Sequence, residues 1–149
     1  KMLNAGINVG LGTDGAASNN DLDMWEEMRL AALLQKIENM DPAVLPAKKV
    51  LEMATIDGAA AIGLSDAIGS IQVGKRADVI QVSTEDVHYT PTFDIISHLV
   101  YVSDEQDVTT VVVDGKVLMK NREILTIQTT KVKKRAAKIA AKIKNKLKK

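Results

Sequence analysis

Two rhythms of apolar and polar positions divide the chain. Up to Leu64 the apolar residues recur at intervals of three and four, the spacing of helices packed along one face. Leu30, Leu33, Leu34 and Ile37 line such a face, Met24, Met28 and Ala31 extend it, and Trp25 sits beside it. Asp23 precedes this run with Glu26 three residues on, which is capping-box spacing and predicts a helix start. Ahead of it, residues 1–5 read as the end of a helix that Gly6 terminates, and residues 7–11 as a short buried strand. Asp41-Pro42 and Leu45-Pro46 predict new helix starts, because proline suits the first helical turn. Val50, Leu51 and Ala54 supply the apolar face of the next helix, and Thr55 caps a short Ala-rich turn that Gly63 ends.

After Leu64 the pattern changes to short, β-branched apolar runs separated by glycine. AIGSIQVGKRADVIQVS (67–83) reads as strands. TTVVVDGKVLMKNREIL (109–125) gives a firmer signal, since Asp114-Gly115 between two apolar runs supplies the positive φ angles of a two-residue hairpin. Asn121-Arg122 turns the chain again. The last segment returns to helical spacing, with Val132, Ala136, Ile139, Ala140, Ile143 and Leu147 in one stripe. The predicted order is therefore helices with one strand, a β-rich piece, and a terminal helix, an α/β chain without internal repeats.

Charge sharpens this division. Residues 131–149 hold ten Lys or Arg and no acid, so the other 130 residues carry all 19 acidic side chains against ten basic ones, a net of −9. A basic arm of this kind suits nucleic acid or anionic lipid; it also suits a solvated helix docked on an acidic neighbour. The absence of interleaved aromatics and the presence of the apolar stripe favour the second, so neither a nucleic-acid nor a membrane partner is expected. The 46% hydrophobic composition is enough for a real core. No run approaches the roughly 18 apolar residues of a membrane span, and KMLNAGINVG lacks the apolar region of a signal peptide. With no cysteine, disulfides and thiolate metal sites are excluded. Cytoplasmic residence is the expectation.

Candidate chemistry concentrates in NVGLGTDGAASNN (8–20). Asp14 falls where a strand should end and a helix is about to begin, the place where α/β architectures gather functional groups. Gly12 and Gly15 allow close backbone approach there. A carboxylate so placed can ligate a metal or move a proton; it can equally cap a turn. Ser18, Asn19, Asn20 and Asp21 can bond a ligand or the free N–H groups of a helix start. Gly10-Leu11-Gly12 does not lead straight into a helix as a dinucleotide cradle would. His88 and His98 lie ten residues apart, outside metal-ligand spacing, and read as structural; Asp94 and His98 can meet at i, i+4 on a helix.

Three stretches carry a wider resemblance. GINVGLGTDGAASNNDLDMWEEMRLAALLQK (6–36) resembles the last barrel strand and following helix of the amidohydrolase superfamily, nearest the 5-methylthioadenosine/S-adenosylhomocysteine deaminase group and close to the triazine chlorohydrolases. ATIDGAAAIGLSDAIGSIQVGKRADVIQV (54–82) and SHLVYVSDEQDVTTVVVDGKVL (97–118) resemble the segments that follow it in that superfamily. The resemblance implies a (β/α)8 barrel beside a small β-sandwich. Residues 1–64 would be the last strand and helices of the barrel, 65–125 a portion of the sandwich, and 126–149 the basic helix. It implies one divalent metal, usually Zn2+, with Asp14 touching the metal and shuttling protons, and Ser18 and Asn19 near the substrate. The implied reaction is hydrolytic deamination of 5-methylthioadenosine, S-adenosylhomocysteine or a related adenosine derivative, in a homo-oligomer. The superfamily's histidine ligands and acid Glu would precede the region present, so the chain is expected to be the carboxyl-terminal third of a longer enzyme and inactive alone. A guanine deaminase or chlorohydrolase-like enzyme, or a non-catalytic fragment binding through the basic tail, are the alternatives.

Overall fold

The computed structural model describes residues 1–147. A 3₁₀ turn at Leu3–Ala5 ends at Gly6, whose φ of 74° closes it as the sequence predicts. Residues 7–11 run extended, but no described strand pairs with them. A parallel strand takes its hydrogen bonds from neighbours on either side, and none is present. The segment instead rests on helices: the Leu11 N–H donates to Met53 O at 3.1 Å.

The described residues form six α-helices, not all of them read from the three-four pattern, with corrections in which faces they bury. They are α1 (Ala16–Asn19), α2 (Met24–Asn39), α3 (Ala47–Ala54), α4 (Ile56–Ala61), α5 (Ile95–Tyr101) and α6 (Thr129–Leu147). Asp23 caps α2 by accepting from the Trp25 N–H at 2.8 Å. The core of the helical layer joins Met28 and Ala32 of α2 to Leu45, to Ala47, Val50 and Met53 of α3, and to Val100 of α5. The Leu30, Leu33, Leu34 and Ile37 row is thus not the core face. It stays exposed, at 42–68%, because α3 and α5 pack on the Met28 and Ala32 side of α2. Pro46 directly precedes α3 as expected, whereas Asp41-Pro42 opens only a turn, with Asp41 Oδ1 accepting from the Ala43 N–H. Thr55 stands at the α4 N-cap without capping it; its hydroxyl donates back to Leu51 O.

The sheet is an antiparallel meander in the order β1 (Val79–Val82), β2 (Val108–Val113), β3 (Lys116–Lys120) and β4 (Glu123–Ile124). Asp114 and Gly115 turn β2 into β3 with φ of 50° and 75°, and Asn121 and Arg122 turn β3 into β4 with 50° and 63°. Residues 67–78 are not strands. Lys75 Nζ gathers Ser65 O, Ile68 O and Ser70 Oγ within 3.2 Å, and this ties the segment into a folded loop. Gly69 in that loop packs on α4. A Cβ there would lie 2.7 Å from Ala59 Cβ, at a φ of 87°. Gly69→Ala in the full-length protein is expected to cost about 2–3 kcal/mol in denaturant unfolding, from overpacking and left-handed strain together. Gly74→Ala, with a similar φ but open space around it, should cost only about 1 kcal/mol. Equal losses would show that the contact with Ala59 is irrelevant.

A buried polar joint connects helices and sheet. Asp107, just before β2, is 2% exposed and Ser103 is fully buried. Asp107 Oδ2 accepts from Tyr89 OH at 3.1 Å and from the Asp104 N–H at 3.0 Å, and it lies 3.2 Å from His88 Nε2. Tyr89 OH also lies 2.5 Å from Ser103 Oγ, which donates to His98 O in α5. Burial raises the Tyr89 hydroxyl above its ordinary pKa. For Asp107 burial acts in the same upward sense, but the bonds from Asp104, His88 and Tyr89 outweigh it and hold the carboxyl below the usual range. Arg29 of α2 reaches this joint through its guanidinium, which donates to Ser103 O at 2.7 Å. The final helix, α6, forms with its stripe exposed: Val132, Ile139 and Ile143 are each half-exposed or more.

Candidate active site

Asp14 stands at the end of the extended segment and directly before α1. The segment is positioned by a close backbone approach to α4, since a Cβ on Gly10 would lie 2.9 Å from Gly58 Cα. Beyond it the chain reverses sharply and Asp14 takes a φ of 59°. Asp and Asn tolerate that left-handed region better than other side chains. Asp14 Oδ1 accepts from the Gly15 N–H at 2.7 Å; among the described residues Oδ2 has no partner. The turn-capping role and a free ligand oxygen therefore coexist on one carboxylate.

An open hollow of about 260 Å³ surrounds it, lined by Gly12, Thr13, Asp14, Ser18, Asn19 and Glu27. Ser18 and Asn19 are thus brought beside Asp14, but differently. Ser18 is exposed, while Asn19 is half-buried and engaged: its Nδ2 donates to Thr13 O at 3.0 Å and to Glu27 Oε1 at 2.7 Å. Asn20 and Asp21 lie outside the lining; Asp21 Oδ1 accepts from the Leu22 N–H. Glu27 was not legible from the sequence pattern. Its signal, an acid four residues after the cap Asp23 and so on the same helical face, is shared by many solvent-facing glutamates.

The histidines sit elsewhere. His88 belongs to the polar joint, and His98 Nδ1 lies 3.0 Å from the main-chain oxygen of Asp94. The carboxylate of Asp94 is used by the Ile96 N–H and the Ser97 hydroxyl, and the Ser97 bond chiefly lowers its pKa. The i, i+4 meeting is thus through the backbone. Among the described residues no three His, Cys, Asp or Glu side chains converge as a metal site requires. The donor chemistry of Asp14, a carboxylate with one committed and one free oxygen, fits a single ligand to a borderline cation such as zinc.

The exposed Asp14 thus stands beyond an extended segment backed by helices, and an antiparallel sheet follows those helices in the chain. The chain belongs to the amidohydrolase family, whose model matches residues 1–118. It is 52% identical over 143 residues to the 5-methylthioadenosine/S-adenosylhomocysteine deaminase of Desulforudis audaxviator, covering 96% of this chain and 33% of that protein. It is 53% identical over 132 residues to the 5′-deoxyadenosine deaminase of Methanosarcina acetivorans, covering 89% and 30%. Among solved structures it superposes with a TM-score of 0.93 on an adenosine deaminase from Xanthomonas campestris with bound zinc, at 38% identity, covering 97% of this chain and 33% of the other. The chain thus spans about a third of the length of the relatives it matches.

Proposed function

We propose that these residues act as the carboxyl-terminal third of a zinc-dependent aminohydrolase that deaminates 5-methylthioadenosine, S-adenosylhomocysteine or a related adenosine derivative. The observation that carries this reading is the free Asp14 oxygen at the end of the extended segment, in a chain half identical to deaminases of those substrates. Within the reading, residues 1–64 close a (β/α)8 barrel, 65–125 contribute to a β-sandwich, and 126–149 are an appended basic helix. A homo-oligomeric, cytoplasmic enzyme belongs to the same reading.

Asp14 would hold the metal, which when bound lowers the pKa of a ligated water from 15.7 towards about 7. Asp14 then accepts the proton released as the water oxygen bonds to C6 of the purine, and returns it to the departing amine so that ammonia leaves. Its committed Oδ1 fixes the side-chain direction, and Asp14 lines the open hollow. Ser18, exposed on the same hollow, is placed to contact the substrate. A site with one ligand in this stretch needs the rest of the barrel, so the 149 residues alone are inactive in this reading.

The test is ammonia release by the full-length polypeptide that contains this sequence. Adenosine derivatives modified at the 5′ position should be turned over with kcat/KM in the ordinary enzyme range, about 10⁴ M⁻¹s⁻¹ or above, and chelation should remove the activity until zinc is restored. Faster turnover of guanine, or chloride release from a chlorotriazine, would reassign the enzyme within the family.

A further inference from the structure

We infer that Asn19 and Glu27 form a positioning pair for Asp14, holding the peptide that aims its carboxylate rather than contacting substrate. The inference rests on the reading of Asp14 as metal ligand and proton carrier.

The Asn19 amide has two N–H bonds to give, and both are spent, on Thr13 O at 3.0 Å and on Glu27 Oε1 at 2.7 Å. Thr13 O belongs to the peptide bond that enters Asp14. Holding that oxygen fixes the plane of the peptide and so the direction in which the Asp14 Cα–Cβ bond leaves the chain. This matters because Asp14 is at a φ of 59°. A residue in that region persists only where its surroundings over-determine it, and the Asn19 bond is a restraint on the entering side. On the leaving side the Gly15 N–H holds Oδ1 at 2.7 Å. Asp14 is therefore gripped from both ends.

Glu27 is what makes the Asn19 restraint stiff. Its bond to Asn19 is short, at 2.7 Å, and it holds the amide whose other N–H grips Thr13 O. Glu27 sits in the first turn of α2, where the helix dipole favours a negative charge. That helix is itself anchored by the Asp23 cap and by Arg29 on Ser103 O. The chain of bonds thus runs from a fixed helix, through Glu27 and Asn19, to the backbone of the catalytic residue. In this reading Asn19 spends both amide donors within the protein rather than on substrate.

The experiment compares Glu27→Ala, Asn19→Asp and Glu27→Gln in the full-length enzyme, with kcat, KM and zinc affinity by chelator competition. A misplacement of the order of 1 Å costs up to about 10²-fold. Glu27→Ala and Asn19→Asp should accordingly lower kcat by roughly 10- to 100-fold, leave KM nearly unchanged, and weaken zinc binding. Glu27→Gln keeps an acceptor for the Asn19 amide and should retain most of kcat. Should Asn19→Asp fail to fold, the two Glu27 variants decide alone. Unchanged kcat and zinc affinity in Glu27→Ala would overturn the pair, as would a rise in KM at constant kcat, which marks a substrate contact. A Glu27→Gln variant as impaired as Glu27→Ala would overturn it too, because the charge and not the grip would then matter. Active Asp14→Asn enzyme would instead remove the underlying reading of Asp14, so the two failures are separable.

Discussion

Asp14→Asn in the full-length enzyme is expected to lower turnover by about 10²–10⁴-fold, the contribution of a positioned proton carrier, with the unfolding temperature unchanged. The substitution is nearly silent in structure. Asn accepts the left-handed backbone as readily as Asp, so the φ of 59° persists. The amide oxygen can still receive the Gly15 N–H in place of Oδ1. What is lost is the negative charge on the free oxygen and its capacity to take and return a proton. Ammonia release measures the first effect, and circular dichroism on heating checks the second. Wild-type-like turnover would leave Asp14 as a turn cap alone.

Asp107→Ala should be the most damaging single change to stability, at about 3–5 kcal/mol in denaturant unfolding of the full-length protein. The removed carboxylate serves Tyr89 OH and the Asp104 N–H at once, and Tyr89 is 1% exposed, so water cannot replace the lost acceptor. Tyr89→Phe removes a donor and leaves Asp107 its other partners, and should cost less, about 1 kcal/mol. The pH dependence has a definite sign. Although burial works against ionisation, the bonds from Asp104, His88 and Tyr89 leave the folded pKa of Asp107 depressed. Its contribution is therefore complete above the ordinary carboxylate pKa of about 3.9 and is lost as pH falls through the folded value. Stability measured from pH 6 down to pH 3 should show this loss in the native protein and a shallower one in Asp107→Ala. Parallel curves would mean that Asp107 is not titrating on unfolding.

Local signals carried much of this architecture. The Asp114-Gly115 hairpin, the Asp23 cap and the Gly6 stop all depend on a few adjacent residues, and each formed where the sequence places it; the terminal helix expected over 126–149 starts at Thr129, and its last two residues lie outside the described residues. The misreadings share a different cause. A row such as Leu30, Leu33, Leu34 and Ile37 says that a helix has an apolar face, not which neighbour will cover it. Met28 and Ala32 won the interior because α3 and α5 lie on their side. Residues 67–78 have strand-like composition, but Lys75 reaches back along its own loop to three oxygens and folds them otherwise. Asp14, Ser18 and Asn19 line one hollow because they fall within a single short loop and turn, a proximity the sequence shows directly. Glu27 was hidden because its partner is chosen in space, eight residues away.

The bond from Arg29 to Ser103 has a consequence for what this protein can tolerate. Its acceptor is a main-chain oxygen, which every amino acid possesses. As far as this link goes, residue 103 is free to change identity, and related chains can keep the tether without keeping the serine. Chain length is another matter. One residue inserted or deleted between α5 and β2 would carry that oxygen away from the guanidinium and release α2, the helix on which Glu27 and so the Asp14 loop depend. The hairpin turns have tethers of their own, from the Asp114 and Gly115 N–H groups to Asp78 Oδ1 and Ala77 O and from Arg122 Nε to Gln106 O, but none of these reaches α2. The short segment between α5 and β2 therefore has to preserve its spacing as well as the carboxylate of Asp107.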